Sequence, residues 1–257
     1  MESLEKQLLK PIFFLLFIFF ITTQNIFSQN YQMSSHTQTG KIRVQMWSLL
    51  EQEPEYLQEL TEQTEGTNTN NSTKKELTED FFYQYSVKEI KNLTPFVFEG
   101  IIHGWKFSYT PYDKTRQVNE YFEFTVDGPN ISKNDKNISY NNPYFQDNKL
   151  FCWVEYDLTP AMVNKMKHSK SIVFKKISGK GKGKVSEGEE GIKKAFSEAL
   201  KMAVRNHGRD IEKNKPKEML GKVNITGNPR VYIDNGFYVV DLDFFVQVDK
   251  IIPYQIF

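Results

Sequence analysis

Eight lysines stand between positions 165 and 184 with no acidic residue among them: Lys165, Lys167, Lys170, Lys175, Lys176, Lys180, Lys182 and Lys184. Such a block can attract anionic lipid headgroups or an acidic protein, so these residues are a candidate interaction surface. The plainer account is a set of solvated faces balanced by Glu187, Glu189 and Glu190 just downstream. The run Gly179-Lys-Gly-Lys-Gly-Lys184 inside this block precedes a helical pattern, but it contains neither GxxxxGK[ST] nor GxGxxG. Its glycines predict a mobile edge or a bulge and not a phosphate loop. A second constellation is aromatic. Trp105, Tyr109 and Tyr112, with Phe107, Tyr121 and Phe122 nearby, could line a groove for a peptide or a glycan, and core packing of a β-rich domain explains the same residues.

The remaining reactive side chains form no recognisable set. His36, His103, His168 and His207 are far apart, and none has an i+4 partner or an HExxH context, so no metal site is expected. His103 and His207 each precede a glycine at a predicted helix end, where a cation complements the dipole. No Gly-x-Ser-x-Gly elbow occurs. Asp241 and Asp243 alternate with Leu242 and Phe244, which marks the wet face of a strand. No carboxylate pair, with Asp113, Glu120 and Glu123 included, is singled out for acid–base work. Cys152 is the single cysteine, set in a strand-like Leu-Phe-Cys-Trp-Val, so an intrachain disulfide is impossible and a buried, inert thiol is expected. No catalytic residue and no cofactor is assigned.

These residues belong to a chain that opens with Lys6, Lys10 and an unbroken apolar run over 11–21, followed by polar residues and Ser28 at a plausible cut. That is the pattern of a secretory signal over residues 1–28, too short to span a bilayer. Lys and Arg number 33 against 32 Asp and Glu, a balance that argues against a nucleic-acid partner. A large exported chain with one cysteine fits a bacterial periplasm better than a disulfide-built secreted domain. Asn-x-Ser/Thr sequons at Asn70, Asn71, Asn92, Asn130, Asn137 and Asn224 are expected by chance in an Asn-rich chain.

Residues 29–73 read as a polar, partly disordered arm, with one short strand at 41–47, an acidic helix at 51–65 and a linker at 66–73. The body, 74–257, starts with a helix carrying Leu77, Phe81, Phe82 and Tyr85. Thr94-Pro95 then predicts the start of a new helix, stopped at Gly104. Strands follow at 105–109, 121–126, 150–157 and 172–177, with 130–148 mostly loop around one short strand near Ile138. Thr159-Pro160 opens a short helix. Ile192, Ala195, Phe196, Ala199, Leu200, Ala203 and Val204 form one apolar helical face. Two long strands close the chain around an Asp234-Asn-Gly236 turn. Strand runs broken by separate helices predict an α+β fold, a mostly antiparallel sheet with three to four helices packed on one face. The body has a candidate internal division into 74–169 and 170–257.

The C-terminal third resembles the LPP20-type fold of bacterial lipoproteins and of the flagellar assembly protein FlgT. The resembling residues are Ile177-Ser-Gly-Lys-Gly-Lys-Gly, then Glu190-Gly-Ile-Lys-Lys-Ala-Phe-Ser-Glu-Ala-Leu-Lys-Met-Ala-Val-Arg, then Gly236-Phe-Tyr-Val-Val-Asp-Leu-Asp-Phe-Phe-Val-Gln-Val. The lipid-attachment cysteine of the lipoprotein members is missing. The segment Gly104-Trp-Lys-Phe-Ser-Tyr-Thr-Pro-Tyr-Asp113 resembles spirochaete envelope proteins. The resemblance implies a non-enzymatic periplasmic scaffold or interaction module, associated with the flagellar motor, and it transfers no functional residue. The alternative expectation is an envelope glycan-binding or glycan-processing protein. Expected partners are envelope or periplasmic proteins, with an anionic membrane surface as a further candidate.

Overall fold

The longest elements are the two that the Asn-Gly turn joins. β7 (Glu218–Asp234) and β8 (Phe237–Ile252) are closed by Asn235 and Gly236, both at positive φ (50° and 78°), as a two-residue turn between right-twisted strands requires. The computed structural model describes residues 40–50, 71–171 and 174–254, with side chains of the first helix described from Tyr83 onward. All of these lie in one unit, Gln38–Phe257. The signal reading of 1–28, the helix predicted at 51–65 and His36 fall outside the described residues.

The protein is α+β, and the described residues form eight strands in two antiparallel sheets. β1 (Lys41–Leu49), β4 (Ile138–Gln146) and β5 (Lys149–Asp157) form a sheet in the order β1-β5-β4. β2 (Trp105–Thr110), β3 (Tyr121–Val126), β6 (Lys175–Lys184), β7 and β8 form the other, in the order β3-β2-β7-β8-β6. α1 is Asn71–Phe98, α2 Pro160–Ser169 and α3 Gly188–Ile211. α3 packs on β6 and β8, while α1 contacts β1, β5 and α3. One hydrophobic cluster therefore runs from Val44 and Val154 of the small sheet to Phe196 of α3 and Phe244 of the large one. Among the described residues, no helix is long and apolar enough to cross a membrane.

Four local expectations change. β1 falls within the residues read as an arm, yet all nine of its residues are paired with β5 and it buries Val44 and Met46, so 41–49 is part of the body. Thr94 does not cap a new helix. Its hydroxyl donates back to the carbonyl of Ile90 (2.6 Å), and Pro95 sits inside α1. α1 runs on into a π-helical turn, Glu99–His103, closed by Gly104 N–H to Glu99 O at 2.8 Å. The short strand expected near Ile138 is present and longer than expected, since β4 takes up Ile138–Gln146 of a stretch read as mostly loop and is tied to β5 by Asp147 and Asn148 at positive φ.

The fourth change concerns the glycines of β6, which is an edge strand of the large sheet but contains no bulge. Ten consecutive pairs with β8 keep register from Lys175 to Lys184. Gly179, Gly181 and Gly183 face α3 so closely that a Cβ would lie 1.9, 2.1 and 1.8 Å from the backbone oxygens of Ala199, Ala195 and Gly191. Small residues on both elements let helix and strand meet backbone to backbone. The period-2 alternation then sends Lys176, Lys180, Lys182 and Lys184 to the opposite face.

Candidate functional site

The C-terminal end of α3, the end of β2 and the start of β7 surround an open pocket of about 270 Å³. The apolar face of α3 draws its last turns onto the sheet, and Gly208 permits close approach there, since a Cβ would meet the Met219 sulfur at 2.8 Å. The chain leaves the helix with Glu212 N–H bonded to Gly208 O (2.9 Å). It then crosses Lys213, Lys215 and Pro216 along the pocket rim. Tyr109, Pro111 and Tyr112 line it together with Arg205 and Arg209.

The pocket gathers several cations. Elsewhere some basic side chains meet carboxylates, such as Lys176 with Asp243 (2.8 Å), Lys194 with Glu187 (3.0 Å), Lys201 with Glu198 (2.6 Å) and Arg230 with Asp241 (2.9 Å), while others, Lys167, Lys170 and Lys184 among them, are exposed with no ion pair among the described residues. In the pocket only Arg205 is partnered, by Glu120 at 3.7 Å. Arg209, Lys213 and Lys215 have no carboxylate within ion-pair reach among the described residues. Glu212, the one acid in the lining, accepts the backbone N–H of Asn214 at 3.0 Å. Tyr109 is buried and donates to Glu120 (2.7 Å). Burial, then that carboxylate, raises its hydroxyl pKa, so it remains a protonated donor. The lining includes no histidine, cysteine or serine. Its donors suit electrostatic recognition of an anion and offer no nucleophile–base pair.

The three expected groove aromatics part company. Tyr109 and Tyr112 share this pocket, with the Tyr112 ring 50% exposed. Trp105 faces the interior, 1% exposed, between Phe96 and Phe124 (5.1 Å to each ring). It is core and lines no groove.

The eight lysines are carried by two elements and the turn between them. Lys165 turns toward Asp127 (3.5 Å), and Lys167 and Lys170 are exposed at the end of α2. Lys176 pairs with Asp243, Lys182 reaches Asp234 (3.4 Å), and Lys180 lies over the Tyr232 ring (5.4 Å). Lys175 and Lys184 are exposed at the two ends of β6. The outer face of β6 is thus a mixed-charge ladder, in which Asp241 and Asp243 of β8 stand opposite Lys180 and Ser178. The pocket cations come from the last turns of α3 and the charged stretch that follows it, and no sequence motif singled them out. The signal that could have marked them is Arg205 and Arg209 at i, i+4, one face of a helix end.

Two histidines expected to act as cations do not. Burial holds the pKa of His103 and of His207 below the usual 6.5, with Lys165 and Lys175 respectively adding to the effect. Each is a neutral ring in the core, and His103 Nε2 and His207 Nδ1 are without a partner among the described residues. Cys152 is buried in β5, and burial raises its thiol pKa. Among the described residues no group of three or more His, Cys, Asp or Glu could hold a metal ion.

One family model matches residues 29–254, and that family is uncharacterised. A Treponema pallidum (strain Nichols) protein described as "Uncharacterized protein" is 29% identical over 252 residues, covering 96% of this chain and 95% of the relative. No solved structure matches.

Proposed function

We propose, from the premise that the chain belongs to this uncharacterised family over residues 29–254, that it is an exported, non-enzymatic interaction module of the cell envelope that reads an anionic group in the pocket at the end of α3. The observation that carries this reading is the convergence of Arg209, Lys213 and Lys215 beside the exposed Tyr112, without a described carboxylate partner. Cations in excess over the one lining acid, Glu212, repel one another, and an incoming carboxylate or phosphate relieves that repulsion. The export part of the reading rests on Lys6, Lys10 and the apolar run at 11–21. A periplasmic location, and a place beside the flagellar motor, extend the LPP20-type resemblance.

Calorimetric titration of the mature chain with acidic oligosaccharides and acidic peptides tests the pocket. The expected result is binding that weakens with salt and falls at least about tenfold in R209Q/K213Q, the loss of roughly 1.4 kcal/mol. Binding that is equal in wild type and double variant would sink the reading. A second reading, an envelope glycan as the ligand, is favoured by the half-exposed Tyr112 ring, a flat apolar platform of the kind sugars stack on. Y112A separates the two: a glycan ligand loses affinity, whereas a simple anion does not.

A further inference from the structure

The outer face of the large sheet contains a second concentration of positive charge. Lys106 of β2 stands directly opposite Lys222 of β7 in the register. Like charges opposite each other on one sheet face are unfavourable. Asp127, at the end of β3, lies between them, 3.0 Å from Lys106 and 3.4 Å from Lys222. Lys165 arrives from α2, at 3.5 Å from the same carboxylate, and also donates to the Asp127 backbone carbonyl. Four elements thus deliver one charged side chain each to one spot.

The carboxylate is fixed by its backbone. Asp127 N–H bonds Gly104 O at 2.9 Å, and Gly128 packs on the His103 ring so tightly that a Cβ would lie 2.8 Å from it. The Asp127 side chain is 17% exposed, against 58, 38 and 40% for Lys106, Lys165 and Lys222. The acid is therefore the floor and the ammonium groups are the rim. Burial acts to raise the Asp127 pKa, but the three lysines outweigh it, and the carboxyl stays below the usual carboxylate range and ionised. His103, behind Lys165, is neutral. Three positive charges against one negative leave two in excess.

We propose that Lys106, Lys165 and Lys222, gathered on Asp127, form an anion site separate from the α3 pocket, and that it takes a phosphate group. A phosphate monoester carries about −1.5 to −2 at neutral pH, which matches the excess, and presents three acceptor oxygens to three ammonium groups. Lysine serves phosphate as a compact point charge, whereas a planar carboxylate is better matched by an arginine fork. The phosphate can be free, on a small ester, or on a lipid headgroup.

The full mature chain is titrated with inorganic phosphate at low salt, and separately mixed with vesicles containing phosphatidic acid. The expected result is saturable binding in at least one arm that persists in R209Q/K213Q and, in that background, is at least about tenfold weaker once K222Q or K106Q is added, with unfolding midpoints like that of wild type. Saturation in the phosphate arm identifies a free or small ester ligand, and Lys222-dependent binding in the vesicle arm alone identifies a headgroup. Absence of binding in both arms up to about 10 mM phosphate overturns the proposal. So does binding that, in the R209Q/K213Q background, survives K106Q/K222Q, or that acetate at equal ionic strength displaces as well as phosphate does. The R209Q/K213Q background keeps this result distinct from failure of the α3 pocket.

Discussion

At the scale of single residues, the glycines of β6 contribute most to the fold for their size. Their missing side chains set the distance between α3 and the sheet. Gly181→Ala would place a Cβ 2.1 Å from Ala195 O and 2.3 Å from Ala199 N, both backbone atoms that cannot rotate away. The expected cost is about 3 kcal/mol, at the upper end for overpacking, read as a lowered midpoint in urea unfolding. Lys180→Ala, on the other face of the same strand, leaves the midpoint unchanged. The two buried histidines predict a pH effect. Their folded-state pKa values are below 6.5, so the unfolded chain binds more protons as pH falls through that value. Stability that is fully present at about pH 7.5 is then lost progressively toward about pH 5.5. Glu99 acts in the opposite sense: burial raises its pKa above 4.5, and its contribution declines as pH rises. The histidine effect is therefore read by difference: H207Q should lose less stability than wild type over that interval in denaturant titrations, and equal losses would show that His207 does not couple to folding.

At the scale of elements, β1 is the test of where the body begins. It is an edge strand, yet its alternate residues Val44, Met46 and Ser48 are buried. Ser48 donates to the buried Glu89 of α1, which also accepts from Tyr85 at 2.7 Å, so the strand is bonded to the helix as well as to β5. Met46→Ala should therefore cost about 3 kcal/mol in thermal or urea unfolding, whereas an unpaired arm would tolerate it. The sequence marked 41–47 as alternating, and so as a strand. Nothing local could reveal that its partner is β5, more than a hundred residues later. Thr94-Pro95 shows the converse failure. The pair has the chemistry of a helix start, but α1 continues through it because the residues on both sides, Ile90, Leu93, Val97 and Phe98, are all buried by the surrounding strands and α3. α3 and the β7–β8 hairpin were legible because their signals are local: an apolar face of period 3.6 and an Asn-Gly turn.

At the scale of the whole molecule, one hydrophobic cluster joins both sheets with α1, α2 and α3. Despite the two sheets, the described unit should unfold in a single cooperative transition, with near-UV and far-UV circular dichroism coinciding. Two separated transitions would mean that the sheets fold independently. The surface divides into paired and unpaired charge, and this division is where function is sought. Of the lysines at 165–184, conspicuous in the linear chain, Lys165, Lys176 and Lys182 are answered by acids of the β3 end, β8 and β7, whereas Arg209, Lys213 and Lys215 stand unanswered around a pocket. By itself the sequence determined the α+β class, the closing hairpin, the apolar face of α3 and the near balance of charge, because each depends on composition or on neighbours a few residues away. Only the tertiary structure decided which charges are free, that Trp105 is core while Tyr112 faces solvent, and that Lys106, Lys165 and Lys222 meet on one carboxylate. Those outcomes depend on strand order and on helix-to-sheet distance, which bring together residues whose separation in the chain carries no trace of the contact.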